Sequence, residues 1–195
     1  MRYYELKNGI NTLEELIKKY DPQSLGLRLD LGCGYYKPDG FIGIDNLIGH
    51  ATQIENLQNL PDIFMDLNFE KIPFENNSCI EIRASHFIEH SNLDHIFSEA
   101  WRLLKKDGVF NFVVPYANSA EGMYPGHTIF LTEKFFYENL HFSNHFHIIK
   151  EVYKESGDYT NLPDSIKTIF PFDIARKHLF NACSEMQIVA VPKNK

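Results

Sequence analysis

No stretch of this sequence approaches the ~18 consecutive apolar residues of a membrane-spanning helix, so no membrane partner is expected. Cysteine is scarce. Cys33, Cys79 and Cys183 are odd in number and widely spaced, with no CxxC pair. Neither a disulfide framework nor a cysteine zinc site is expected from them. Dense basic blocks are missing as well. Lys18-Lys19 and Lys105-Lys106 read as solvated helix faces, and the formal net charge is -7. A binder of duplex nucleic acid carries a basic stripe, so no nucleic-acid partner is expected. Met1 is followed by Arg2-Tyr3-Tyr4-Glu5, without the apolar centre of a signal peptide. A reducing, cytoplasmic setting is the expectation.

What is present suits a folded domain. The chain has 195 residues, 44% of them apolar, enough for one domain with a full core. Thr12-Leu13-Glu14-Glu15 has the form of a capping box. It opens a helix with Leu13, Leu16 and Ile17 on one face, which stops at Asp21-Pro22. Strands follow at about 26–31 and 41–45, the second after the Pro38-Asp39-Gly40 turn. Residues 50–59 have helical potential, Ile63-Phe64-Met65 reads as a third strand and 79–84 as a fourth. Apolar positions 93, 96, 97, 100, 103 and 104 predict a helix over 92–104. The basic residues and glycine of 105–108 read as its close. Val109 to Val114 is a fifth strand, ended by Pro115. This alternation is an α/β pattern with a parallel sheet. Further on, 132–140 reads as a helix capped by Thr132, and 147–153 as a strand. Residues 167–182 read as partly helical and 186–191 as a final strand. The last two strands suggest an antiparallel pair at the sheet edge. No repeat or linker interrupts the chain, so 1–195 is read as a single domain whose residues 1–25 form an N-terminal helical segment.

The most informative stretch is Leu27-Arg28-Leu29-Asp30-Leu31-Gly32-Cys33-Gly34, answered by Ile42-Gly43-Ile44-Asp45. An apolar strand ends in a Gly-x-Gly turn, and the next strand ends in a carboxylate. In α/β sheets that pairing holds an adenosine group, the glycines letting the backbone approach and the acid accepting from the ribose hydroxyls. A nicotinamide fingerprint needs a third glycine, where this chain has Lys37, and an acid ~20 residues on. Asp45 lies only 11 residues beyond Gly34, so no crossover helix fits between them. Without a glycine-rich helix N-terminus a pyrophosphate loses its seat. S-adenosylmethionine has no phosphate and needs none.

Asp30-Leu31-Gly32-Cys33-Gly34 is similar to the first motif of class I S-adenosylmethionine-dependent methyltransferases of the methyltransferase-11-like type. The likeness continues through Asp45, Asp66-Leu67, Ile72 to Ser78, Ser85 to His90, Arg102 to Gly108 and Val113-Val114-Pro115. Its short first connection resembles a subgroup with an LGCG…GF-x-x-D pattern, often associated with surface-polysaccharide or similar small-molecule modification. The resemblance implies a Rossmann-like fold, with a mostly parallel seven-stranded sheet, an antiparallel edge strand and helices on both faces. It implies methyl transfer to a small polar acceptor such as a sugar or nucleotide-sugar, with 117–146 and 154–184 as substrate-side insertions. A homodimer is left open. Carried over by position, Gly32, Cys33 and Gly34 would pass close to the methionyl part and Asp30 would help hold the amino-acid end. Asp45 with Asn46 would take the ribose, Asp66 and Leu67 the adenine, and Ser85 and His86 the sulfonium side. The helix-free connection around Tyr35, Tyr36 and Lys37 would leave the amino-acid end exposed.

A base matters when the acceptor is a hydroxyl, and histidine is the usual one near neutral pH. His127, just after the fifth strand, and His90, beside the cofactor loop, are the catalytic candidates. Tyr116 reads as a wall. His86-Phe87-Ile88-Glu89-His90 also spells H-x-x-E-H, a zinc-peptidase pattern. That chemistry needs both histidines on one long helix face, and here the motif follows a strand directly. Glu89-His90 is therefore read as orienting the loop, and no metal is assigned. Two alternatives stay open: a cofactor-binding protein without catalysis, and a metal-dependent hydrolase using His86, Glu89 and His90. His145 and His147 would share a face if both lay on a strand.

Overall fold

The computed structural model describes residues 4–48 and 60–195, so the helix expected over 50–59 lies outside the described residues. The strands are β1 (Glu5–Leu6), β2 (Leu27–Leu31), β3 (Ile42–Asp45), β4 (Ile63–Phe64), β5 (Cys79–Ser85), β6 (Leu104–Pro115), β7 (Phe146–Glu155) and β8 (Cys183–Pro192). The helices are α1 (Leu13–Tyr20), α2 (Leu93–Leu103), α3 (Glu133–Glu138), α4 (Leu140–His145), α5 (Gly157–Thr160), α6 (Asp164–Ile169) and α7 (Phe172–His178). Ile88–His90 makes a single 3-10 turn. All eight strands join one sheet in the order β1-β4-β3-β2-β5-β6-β8-β7.

The inner strands β4, β3, β2, β5 and β6 are parallel. β8 runs antiparallel to both β6 and β7, the edge pair expected from the two late apolar runs. The sheet is mixed, an α/β fold as expected, with one strand more than seven. The extra one, β1, adds antiparallel to β4 through Glu5↔Phe64 and Leu6↔Ile63. Two residues are too few to show a period-2 pattern in sequence.

Local signals account for most element ends. The capping box is complete: Glu15 N donates to Thr12 Oγ1 at 3.1 Å, and Thr12 N to Glu15 Oε2 at 3.3 Å. Asn92 caps α2 by accepting from His95 N. Pro171 does not interrupt a helix but stands at the start of α7, where a missing N–H costs nothing.

Three expectations are corrected. Residues 105–108 do not close α2. The helix ends at Leu103, and Leu104 already pairs with Cys79. Glu81 pairs with Val109, so 105–108 are an outward bulge of β6. A second helix, α4, fills 140–145, where no element was expected. His145 therefore lies at a helix end and stacks on His141 at 4.8 Å, while His147 lies on β7. Thr132 stands at the N-cap of α3, but its side chain makes no capping bond.

The core runs along the sheet. Leu29, Leu31, Ile42, Ile44 and Ile82 are fully buried in the parallel strands. Phe142 of α4 and Phe136 of α3 pack with Phe112 of β6 and with each other, and Phe97 of α2 packs on Phe142. A small satellite cluster of Tyr159, Ala175 and Ala182 holds α5 and α7 beside β8. No helix among the described residues is long and apolar enough to cross a membrane.

Candidate cofactor and acceptor site

β2 has β3 on one side and β5 on the other. The chain fills the sheet in one direction as far as β4 and then returns to the far side of β2. Beyond the carboxyl ends of the strands at such a switch point, α/β sheets open a crevice. A cavity of about 480 Å³ lies there, lined by Gly32, Cys33, Tyr36, Lys37, Pro38, Arg83 and Ser85.

The turn that forms its floor requires glycine at its first position. Gly32 has φ +66°, and a Cβ there would lie 2.3 Å from the Phe87 ring. Residues 35–41 then reach β3 with no helix, and Tyr36 is 88% exposed.

Asp45 is buried at the end of β3. Its Oδ2 accepts from Gly34 N at 2.7 Å and its Oδ1 from Leu47 N at 2.6 Å. A carboxylate has about four acceptor sites, so two bonds to the loop leave capacity for two more. Asp30 is wholly buried, and Arg83 Nη1 donates to both its oxygens at 2.7 and 2.8 Å. The two residues are register partners on β2 and β5. Neither Arg83 nor Asp62 was anticipated. Asp62 is fully buried, accepts from Gly43 N at 3.0 Å and Tyr20 Oη at 3.0 Å, and pairs with Lys37 Nζ. Lys37, the residue that breaks the dinucleotide pattern, is thereby tied down on the cavity wall.

Of the other expected cofactor residues, Asn46 and Asp66 line a second, shallower groove of about 530 Å³ with Tyr4, Glu5, Phe64, Met65 and Glu70. Leu67 is buried and does not line it. His86 takes φ +51°, and its Nε2 lies 3.1 Å from Glu185 Oε2 on β8.

Burial pushes the Asp30 carboxyl up to about 6, with the Arg83 guanidinium opposing the rise. The native state then holds a proton that the unfolded chain has released. This contribution to stability is complete below about pH 4 and is lost as the pH rises through about 6. Urea denaturation at intervals over that range is expected to show a fall from this group on the order of 2–3 kcal/mol. Asp30→Asn should remove that part of the slope; an unchanged slope would refute the assignment.

Just beyond Phe87 in the chain lies a second group. Glu89, on the 3-10 turn, is 1% exposed, and neither carboxylate oxygen has a hydrogen-bond partner among the described residues. Burial pushes its carboxyl up to about 7. His127 Nε2 lies 3.9 Å and His86 Nδ1 3.7 Å from Glu89 Oε1. The His90 and His127 rings meet edge-on at 4.7 Å. The two histidines singled out in the sequence are thus brought together, and Glu89 joins them. The long helix that an H-x-x-E-H hydrolase needs is absent: the motif runs from a strand end into a single 3-10 turn. Tyr116 does not line the cavity; its hydroxyl donates to Glu133 Oε2 at 2.9 Å beside the Glu133–Arg176 ion pair.

Comparison with known proteins agrees with this fold. Residues 29–112 match the family model described as a methyltransferase domain. No curated protein matches the chain. Among solved structures, a SAM-dependent methyltransferase from Archaeoglobus fulgidus is 16% identical with a TM-score of 0.62, the match covering 92% of each chain. A geranyl diphosphate C-methyltransferase from Streptomyces coelicolor A3(2), complexed with Mg2+, geranyl diphosphate and S-adenosyl-L-homocysteine, is 14% identical with a TM-score of 0.53. That match covers 92% of this chain and 77% of the other. The (4+2)-cyclase SpnF is 18% identical with a TM-score of 0.55, covering 92% of this chain and 79% of its own. At these identities the structures establish the fold alone, and the family model adds a likeness to a methyltransferase domain over residues 29–112. Over residues 29–112 the chain is thus similar to methyltransferase domains, on a fold that it shares with a solved SAM-dependent methyltransferase.

Proposed function

We propose that the protein moves the methyl group of S-adenosylmethionine to a small polar acceptor of the sugar or nucleotide-sugar class. The observation that carries this reading is the meeting of the Gly32 turn, the Asp45 carboxylate and the cavity at the switch point between β2 and β5. In it, Gly32, Cys33 and Gly34 run under the methionyl part. Arg83 and Lys37, on the cavity wall, attract its carboxylate, and Asp30 orients Arg83. Asp45 takes the ribose hydroxyls on its remaining lone pairs. Asn46 and Asp66 hold the adenine at the second groove, and Ser85 and His86 border the sulfonium. His127 and His90 serve the acceptor end. The sulfonium is already activated, so alignment of the nucleophile behind the methyl carbon supplies much of the rate, on the order of 7–11 kcal/mol in favourable cases.

Calorimetry with S-adenosylhomocysteine tests the cofactor half, and release of S-adenosylhomocysteine over an acceptor panel tests the transfer. One-to-one binding and turnover with a hydroxylated acceptor are the expected results. Folded protein that fails to bind S-adenosylhomocysteine would refute the reading, and binding without any turnover would favour a non-catalytic cofactor binder.

A further inference from the structure

Glu89 poses a physical problem. A carboxylate removed from water costs several kcal/mol unless it is hydrogen-bonded or paired. This one is 1% exposed, with no hydrogen bond to either oxygen among the described residues. If His127 simply formed an ion pair with it, a bond near ~2.7–2.9 Å would be expected; the separation is 3.9 Å.

The two imidazoles carry a second, independent sign. His90 Nδ1 lies 3.0 Å from Gly126 O, and His127 Nδ1 lies 3.3 Å from Gly122 O. A carbonyl oxygen can only accept, so Nδ1 carries the proton in both rings. In the neutral rings Nε2 is then the unprotonated nitrogen. Metal-ligating histidines are held in this way, with the other ring nitrogen donating to a backbone carbonyl or a carboxylate. The same loop is locked to the turn: Thr128 N and Oγ1 both donate to Glu89 O, at 3.4 and 3.2 Å. One ligand atom from each of Glu89, His90 and His127 lies within 4.8 Å of the others. Ligands bonded at ~2.0–2.2 Å to one ion stand roughly 3.0–3.5 Å apart, so side-chain shifts of about 1 Å would close the set.

We infer that Glu89, His90 and His127 bind a divalent transition-metal ion, with open positions for an acceptor oxygen. Two imidazoles and one carboxylate suit Mn2+, Fe2+, Co2+ or Zn2+ rather than the all-oxygen sites of Mg2+ or Ca2+. The inference rests on the methyl-transfer reading for its chemistry, and in it the imidazoles act through the ion rather than as free bases. The acceptor hydroxyl binds the ion and releases its proton to solvent. Its oxygen then forms the O–CH3 bond as the CH3–S bond breaks and that electron pair returns to sulfur. The ion's part is to lower the pKa of the bound hydroxyl.

Untagged full-length protein, stripped with chelator, is titrated with Co2+ by visible absorbance and with Zn2+ and Mn2+ by calorimetry. S-adenosylhomocysteine binding is measured on the same samples. The expected result is one ion per chain, with cobalt ligand-field bands. Glu89→Gln, His127→Asn and the exposed-site variant His90→Asn should each weaken uptake by more than the ~10–100-fold typical of outer-shell partners, with cofactor binding kept. If a buried-site variant fails to fold, His90→Asn carries the comparison. Wild type that binds S-adenosylhomocysteine but takes up no ion would overturn the metal site and leave the methyl-transfer reading intact. Uptake that all three variants leave unchanged would overturn it too. Ion uptake without cofactor binding would refute methyl transfer and leave the metal site standing.

Discussion

Gly32→Ala is expected to destabilise the fold by about 2–5 kcal/mol and to abolish measurable binding of S-adenosylhomocysteine. Two costs add. A left-handed backbone costs a residue bearing Cβ roughly 1–2 kcal/mol, and Gly32 sits at φ +66°. The new methyl would also lie 2.3 Å from Phe87 Cγ and Cδ2, and overpacking of this kind costs about 1–3 kcal/mol. Phe87 is partly buried against the main core, so its ring cannot swing freely into solvent. Relief of the clash would come instead from movement of the turn, which is the cavity floor. Urea denaturation reads the stability and calorimetry the binding. The double variant with Phe87→Gly, which also removes the Phe87 Cβ that would stand 2.5 Å from the new methyl, separates the two costs: the cycle should return the steric part and leave the backbone part. A Gly32→Ala protein with wild-type affinity would show that the ligand does not approach this turn.

Asp45→Ala is expected to weaken S-adenosylhomocysteine binding by at least about 100-fold, equivalent to ~2.7 kcal/mol. The carboxylate does two jobs in the proposed site. It ties Gly34 N and Leu47 N together across the mouth of the strands, and it offers its other lone pairs to the ribose. Hydrogen bonds to a charged acceptor are worth roughly 1.5–3 kcal/mol each, so removing it should also cost the apo fold a few kcal/mol. Asp45→Asn keeps one acceptor oxygen and should fall between the two on both measurements. Lost stability with affinity within threefold of wild type would leave Asp45 as a loop strut and remove it from the ribose.

The parts of this molecule that were legible in its sequence are those specified locally. The Thr12–Glu15 box, the Gly32 turn, the strand ending at Asp45 and the apolar spacing of 93–103 each carry their signal within a few residues. Residues 105–108 misled because lysines followed by glycine are what a helix end looks like. Only the pairing of Glu81 with Val109 reveals them as a bulge. α4 was hidden because its cap, Asn139, is also the C-cap of α3. At the site, His127 and His90 were found as types near strand ends, but their meeting with Glu89 depends on the 122–128 loop folding back over the 3-10 turn. Arg83 was missed for the same kind of reason. Two charged residues on separate apolar strands become partners only once the register is known.

The position of β8 has a consequence for how the chain assembles. β8 is the last strand in sequence, yet it lies between β6 and β7 and pairs with both. β7 therefore has no place in the sheet until residues 183–192 are in hand. During synthesis, β2 and β3 can find each other across a short loop, while β6 waits with an open edge for a segment some 70 residues downstream, Pro115 meeting Glu185. Non-local pairings of this kind form late, because loop closure must come before any reward from contact. An unpaired apolar edge is also what other chains add to. The final strand is thus the keystone of the sheet, and the interval before it docks is when the folding chain is most exposed to misassembly.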